Sequence, residues 1–388
     1  MSTSKQQGKV TVHPYLGGTT SNMIANALKN GGVDKEFVPT FLMTLALSVA
    51  TAPVRALESL LYGGQIERAE LGEDPIFIVG HWRSGTTHLH NLVSQDKRLG
   101  YLTTLQAFFP TSAVLLSRTS WLKNGVAKLL PEKRMMDNMK LGLDLPQEEE
   151  FSLSCLTTSA HHCNHFPSTI RESFDKYVMF EVDGSEKRKW KRTYQGVIKK
   201  ASFLAGGRRL VLKNPYNTGR LRVLLEMYPN AKFIHIYRNP YNIYVSAVHD
   251  FVKEAEEMAL QKFSEEDFGE LTFELYRKLM SAFWKDRELV PVGNLAEVAY
   301  EALEENPLRE LKRIYAELGL TMTPAAEQQI VSYLKSIEGY KKNKYSYSAA
   351  LTKKIGGQWG AFISRMKYVA PGDIAIDDKA AWSAQILS

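Results

Sequence analysis

The chain has 388 residues, of which 44% are hydrophobic and 23% charged. That profile is globular and excludes disordered, collagen-like and extended coiled-coil classes. A formal net charge of +7 suits an anionic ligand, a membrane surface or plain surface charge, while the lack of any long basic run argues against a nucleic-acid partner.

Only two cysteines occur, Cys155 and Cys163, so no disulfide framework is expected. No Asn-x-Ser/Thr acceptor is present either. Both features lead us to expect a reducing, cytoplasmic location. The opening "MSTSKQQGK" reads as disordered, and the polar first segment shows no cleavable signal. Residues 1–72 read as a mostly helical N-terminal extension. Within it, "FVPTFLMTLALSVATAPV", Phe37 to Val54, carries no charge. It lies at the lower limit for a membrane span and is interrupted by Pro39 and Pro53. Three readings stay open for it: a buried helix, a helix resting in a membrane interface, or a span.

An α/β domain is expected over residues 73–388. Asp74 and Pro75 introduce the apolar run Ile76 to Val79, read as a buried parallel strand, and "SGTTHLHNLVSQ" continues as a helix. The segment 105–130 is rich in Phe, Leu, Val and Trp, as core packing or a greasy pocket would require. Further strands are expected at "YVMFEVDG" (177–184), "RLVLKNP" (209–215) and "KFIHIYRNP" (232–240). Between the last two, "YNTGRLRVLLEMYPNA" has helical period and closes on Pro229 and Asn230. "EVAYEALEENPLRELKRIYAELGL" adds a short strand and an amphipathic helix. The alternation predicts a central parallel β-sheet flanked by helices, a P-loop-like three-layer α/β/α fold. The basic, aromatic segment at 341–370 is expected to be a closing lid or a packed C-terminal tail.

The turn after the first strand, "GHWRSGTT", carries the chemistry. A glycine-rich loop at a helix N-terminus gathers unpaired backbone N–H groups around one point, and an anion belongs there. Gly80 and Gly85 keep the spacing of the triphosphate loop G-x-x-x-x-G-K-[ST], but Thr86 stands where its lysine should be. Without that lysine, triphosphate chemistry loses a main charge stabiliser. Arg83 sits inside the loop instead, and a guanidinium can grip a compact anion through two N–H bonds. A phosphoryl-transfer enzyme of this loop class is the alternative reading.

"GHWRSGTT" resembles the 5′-phosphosulfate loop of the sulfotransferases, which use 3′-phosphoadenosine 5′-phosphosulfate (PAPS). Three further segments carry the same resemblance. "FIHIYRNPYNIYVSAV" has a strand ending in Arg238 with Ser246 eight residues later, the pair that the family uses for the 3′-phosphate. "LKNP" is similar to the Lys-Asp-Pro segment of tyrosylprotein sulfotransferases, whose lysine lies at the transferred group, which maps onto Lys213. "AYEALEENPLRELKRIYAELGL" resembles the Tyr-Glu-x-Leu segment common in the superfamily. The resemblance spans roughly residues 74–320. It implies sulfuryl transfer from PAPS to a hydroxyl, with 3′,5′-diphosphoadenosine as product and no metal. It also implies that Arg83, Ser84, Gly85, Thr86, Thr87, Arg238 and Ser246 hold the co-substrate.

Such a transfer needs a base for the acceptor hydroxyl and positive charge for the leaving phosphate. Arg83 and Lys213 supply charge. The glutamate that tyrosylprotein sulfotransferases carry beyond the loop is absent from "YLTTLQAFFP", so the base must come from elsewhere. "LPQEEEFSL" offers three glutamates at a helix start, where acidic residues are also ordinary helix design. We favour Glu148, then Glu150, then Glu149. "HHCNH" is the rival: His161, His162, Cys163 and His165 could ligate a metal, supply a histidine base or simply pack. The expected acceptor is a hydrophobic hydroxylated small molecule such as a sterol or another lipid, with possible peripheral membrane contact; a polar or peptide acceptor is the alternative.

Overall fold

The computed structural model describes residues 18–128, 140–161, 165–339 and 347–370. Five strands form one parallel sheet: β1 (Ile76–Val79), β2 (Leu99–Gly100), β3 (Arg209–Lys213), β4 (Lys232–Tyr237) and β5 (Leu295–Ala299), in the order β2-β3-β1-β4-β5. Each interior strand is a short apolar run because both of its faces are covered by helices. Along β1, Phe77 and Val79 enter one core with Trp190, Tyr194 and Phe273, whereas Ile76 and Ile78 enter another with Leu89, Ile314 and Ile330. That two-sided burial is the expected three-layer α/β/α arrangement.

One expected strand needs correction, and one strand was not expected. Residues 177–184 are not a strand. A helix over Ile170–Tyr177 ends there, Phe180 takes a left-handed backbone (φ 57°), and Asp183 caps the helix Gly184–Leu204 by accepting from the Ser185 and Glu186 amides. The apolar run is short and bounded by a cap signal, so it packs as a bend between helices. The fifth strand is instead β2, whose two residues are too few to leave a periodic trace.

The N-terminal helices are α1 (Thr20–Lys29), α2 (Val38–Ala50) and α3 (Ala52–Glu67). The uncharged stretch therefore breaks into two helices at Thr51, bent by 42°. Among the described residues no single helix is long and apolar enough to cross a membrane. Nor is the stretch a buried core helix: in α2 only Thr44 and Ser48 are buried. At the other end of the chain, the described part of the basic segment is a packed helix over Ala349–Arg365. Its Trp359 is fully buried and donates to the Phe273 carbonyl (3.2 Å). Residues 340–346 and 371–388 of the expected lid or tail lie outside the described residues.

Candidate active site

Parallel strands place their carboxyl ends on one edge of the sheet, and ligands of open α/β sheets bind there. Three adjacent strands deliver the candidate residues to that edge. β1 runs into Gly80, β3 ends on Lys213 and β4 runs into Arg238, with Ile78 in register with Lys213 and Val79 with His235.

The loop 80–86 leads into α4 (Thr86–Val93), whose N-cap is Gly85 at φ 95°. A side chain there would strike the Tyr300 ring at 2.3 Å, and one at Gly80 would strike the Ile236 carbonyl at 2.2 Å. Both glycines are thus dictated by close approach as well as by backbone angle. Arg83 also adopts a left-handed backbone, φ 68°. The Gly80 amide donates to Thr218 Oγ1 (2.7 Å) and Ser84 Oγ donates to the His81 carbonyl (2.6 Å), fixing the cradle from inside. Ser84 is fully buried and serves the loop's shape. Thr86 and Thr87 line the cleft with Arg83, Trp82 and Glu148.

The structure joins Arg83 to the second motif. Its Nε donates to Ser246 Oγ (2.9 Å), and Nη1 pairs with Asp250 (3.3 Å). Arg238 Nη1 donates to the Arg83 carbonyl (3.2 Å), and its guanidinium lies over the Tyr300 ring at 4.4 Å. Its Nε is buried with no hydrogen-bond partner. An unpartnered guanidinium N–H at an anion cradle is the kind of donor a phosphate oxygen would satisfy. Arg83 is thereby drawn into one group with the distant Arg238 and Ser246.

Lys213 is buried and forms an ion pair with Glu148, while its Nζ also lies 3.2 Å from Thr87 Oγ1 in the first turn of α4. The three consecutive glutamates part company at this point. Glu148 is the N-cap residue of the helix Glu149–Leu156 and faces the cleft. Glu150 turns inward, where Arg220 grips both its oxygens (2.6 and 2.9 Å) and Asn214 donates to it (2.7 Å). Burial works against the Arg220 charge, yet Glu150 more than offsets it and its pKa is raised. That pair is wholly inside the protein, where removal of one partner costs about 3–5 kcal/mol. Glu149 points deeper still, accepting from Tyr194 Oη (2.7 Å) and Asn217 Nδ2 (2.6 Å), with Oε2 unpartnered.

Burial pushes the Glu149 carboxyl up to about 7, although the Tyr194 and Asn217 bonds oppose the shift. The folded chain therefore holds this proton where the unfolded chain, near 4.5, has lost it. Stability from Glu149 is full below about pH 4.5 and declines as pH rises through about 7. We expect Glu149→Gln to remove that decline, on the order of a few kcal/mol. Urea unfolding at pH 5 and pH 8 checks it; an unchanged slope against pH would show that Glu149 does not titrate in this window.

The histidines split between neutral packing and polar contacts. Burial lowers His81 to about 3, with Nδ1 on the Trp82 carbonyl (2.6 Å). Burial and then Lys213 lower His90 to about 3. His161 Nδ1 meets Ser173 Oγ (2.8 Å), and its ring packs edge-on against Tyr216. His165 is buried, and His162 and Cys163 lie outside the described residues. Among the described residues no group of three or more His, Cys, Asp or Glu is placed to hold a metal ion. Sequence reasoning missed Asp250 and Thr218, which shape the site without a motif of their own, and gave no role to Tyr300, which lies in the quoted Tyr-Glu-x-Leu segment.

A glycine-walled loop on the carboxyl edge of a parallel sheet, backed by two arginines and a lysine–glutamate pair, is a site suited to group transfer from a compact anion. Residues 75–324 match the family model described as "Sulfotransferase family", and the chain belongs to that family. It is 32% identical over 325 residues to the omega-hydroxy-beta-dihydromenaquinone-9 sulfotransferase Stf3 of Mycobacterium bovis, covering 83% of this chain and 82% of the relative. The fold is shared with sulfotransferase STF1 from Mycobacterium tuberculosis H37Rv (TM-score 0.63, 18% identity, 88% of this chain and 90% of that one). It is shared also with STF9 from Mycobacterium avium (TM-score 0.64, 17% identity, 91% and 97%). The enzyme is thus a sulfotransferase, and the phosphoryl-transfer alternative falls away.

Proposed function

We propose that this sulfotransferase moves a sulfuryl group from PAPS to the hydroxyl of a lipophilic alcohol, with Glu148 as general base. The Lys213–Glu148 pair beside Thr87 carries this reading, because it sets a carboxylate and a cation side by side at the cradle. The bound donor supplies an activated sulfuryl group. Backbone N–H groups from Arg83 to Thr87 suit the 5′ end of that donor, and Arg238 with Ser246 suits its 3′-phosphate. The unpartnered Arg238 Nε and the glycine-walled cradle both fit that assignment. Arg83, hydrogen-bonded to Ser246, couples the two ends of the co-substrate site.

Glu148, paired with Lys213, faces the cleft in which an alcohol O–H would be presented to it. Glu148 then accepts that proton, and the released Lys213 ammonium faces the charge that develops on the leaving oxygen. These two residues act together, and no metal is needed for either role.

The lipophilic acceptor is supported by the name of the Stf3 relative, which gives an omega-hydroxylated menaquinone derivative as its substrate. A mass-spectrometric screen of alcohols with PAPS is the test. We expect sulfated long-chain or polycyclic alcohols; sulfation confined to sugars or peptides would overturn the acceptor class. A preference for ATP with Mg²⁺ would overturn the co-substrate. A second expectation concerns the nucleotide. Arg238→Ala should weaken binding of 3′,5′-diphosphoadenosine by roughly ten- to a hundredfold, the worth of a charged hydrogen bond. A nucleotide lacking the 3′-phosphate should bind as before, and equal losses in calorimetry would remove Arg238 from that role.

A further inference from the structure

Helices α2 and α3 leave much of their apolar surface outward, although Phe41 and Leu45 of α2 pack against the core. A surface helix normally buries its apolar stripe and exposes its polar one. In α2 the buried residues are Thr44 and Ser48, whose hydroxyls donate to the Thr40 and Gly18 carbonyls. The outward residues include Leu42 (57% exposed) and Val49 (59%), and α3 continues them with Leu57, Leu60 (82%) and Leu61. Ile24 and Leu28 of α1 are exposed as well. Scattered exposed leucines are ordinary, but a run along three consecutive helices is not.

A cavity lies behind α3, away from the cradle. Its volume is about 710 Å³. Ala56, Ser59, Gly63 and Ile66 of α3 line it, one stripe round the helix from Leu57, Leu60 and Leu61. Its inner wall includes Ser152 and Leu156, on the helix that begins beside Glu148. Ser152 is one turn from Glu148, about 6 Å along the axis.

We propose that the bent α2–α3 helix pair docks on a lipid bilayer and that the cavity behind α3 receives the apolar chain of an acceptor drawn from it. A bilayer fits better than a second copy of the chain for two reasons. The stretch from Val38 to Val54 is free of charge, and the bent pair that contains it has the length and composition of a broken span or a re-entrant loop. It also adjoins a cavity able to take an apolar chain. The cavity half rests on the lipid-alcohol reading above, and the docking half does not.

The test uses the full chain with phosphatidylcholine vesicles, without and with phosphatidylglycerol. Co-sedimentation of the unaltered protein is expected with both, and combined Leu57→Gln, Leu60→Gln and Leu61→Gln should cut the bound fraction about tenfold. All three positions are exposed, so an unchanged thermal melt accompanies the loss. No vesicle binding by the unaltered protein overturns docking. So does conversion of a dimer to a monomer by the triple variant, which would mark the face as a contact between copies. Gly63→Leu probes the cavity: an added Cβ meets only Ser59 Oγ, at 3.7 Å. It should lower turnover of a vesicle-borne long-chain alcohol about tenfold while sparing a short soluble alcohol and vesicle binding. Equal turnover of both alcohols overturns the cavity role. Vesicle binding with no lipid alcohol sulfated upholds docking and overturns the acceptor reading instead.

Discussion

Lys213→Ala is expected to lower turnover by roughly a hundred- to a thousandfold, the effect of removing one preorganised charge from a group-transfer site. Affinity for 3′,5′-diphosphoadenosine should change little, since the loop and Arg238 remain. The side chain is almost fully buried, and its close polar partners include Glu148 and Thr87. Alanine therefore removes the ammonium while leaving Glu148, which stays partly exposed, able to hydrate. Single-turnover kinetics with saturating PAPS checks this directly. Retained turnover would take Lys213 out of the chemistry and leave it as a packing residue. A matching loss of nucleotide affinity would instead make it a co-substrate ligand.

Glu148→Gln is the second large effect. A positioned base contributes typically about 10²–10⁴-fold, and glutamine keeps the shape while losing the ability to take a proton. The fold should hold, because Glu148 lies at the helix start and makes no side-chain cap bond. The same change at Glu150 would break a buried pair with Arg220, so its signature would be lost stability rather than lost chemistry. Measuring the thermal midpoint and turnover of both variants separates the two roles. Full activity in Glu148→Gln would pass the role of base to another residue.

Much of the architecture was legible because local patterns were strong. Four of the five strands are apolar runs bounded by Gly, Pro or Asn signals, and the loop resolves into a strand, a left-handed turn and a helix as its residues require. The misreading at 177–184 has a definite cause. Tyr177 to Val182 is as apolar as a strand, but Asp183 starts a 21-residue helix and the chain must bend before it. Propensity over six residues cannot compete with the capping of a long helix. β2 left no signal because two residues define no period.

The roles within "QEEE" were hidden for a different reason. Near a helix start, consecutive residues point about 100° apart, so three glutamates side by side must face three surroundings. Sequence presents them as equals; packing sends Glu148 to the cleft, Glu149 to Tyr194 and Glu150 to Arg220. The stretch at 37–54 shows the same limit, since hydrophobic composition alone reads alike for a core helix and an outward-facing one.

What the sequence determined by itself was the strand–loop–helix geometry around Gly80 and Gly85 and the family, because backbone geometry, glycine spacing and the Arg238–Ser246 interval are local. Tertiary structure decided which carboxylate meets Lys213, how Arg83 joins Ser246, and which side of α2 faces outward. Those depend on contacts between segments tens to hundreds of residues apart, and burial and partner choice exist only once the chain has closed on itself.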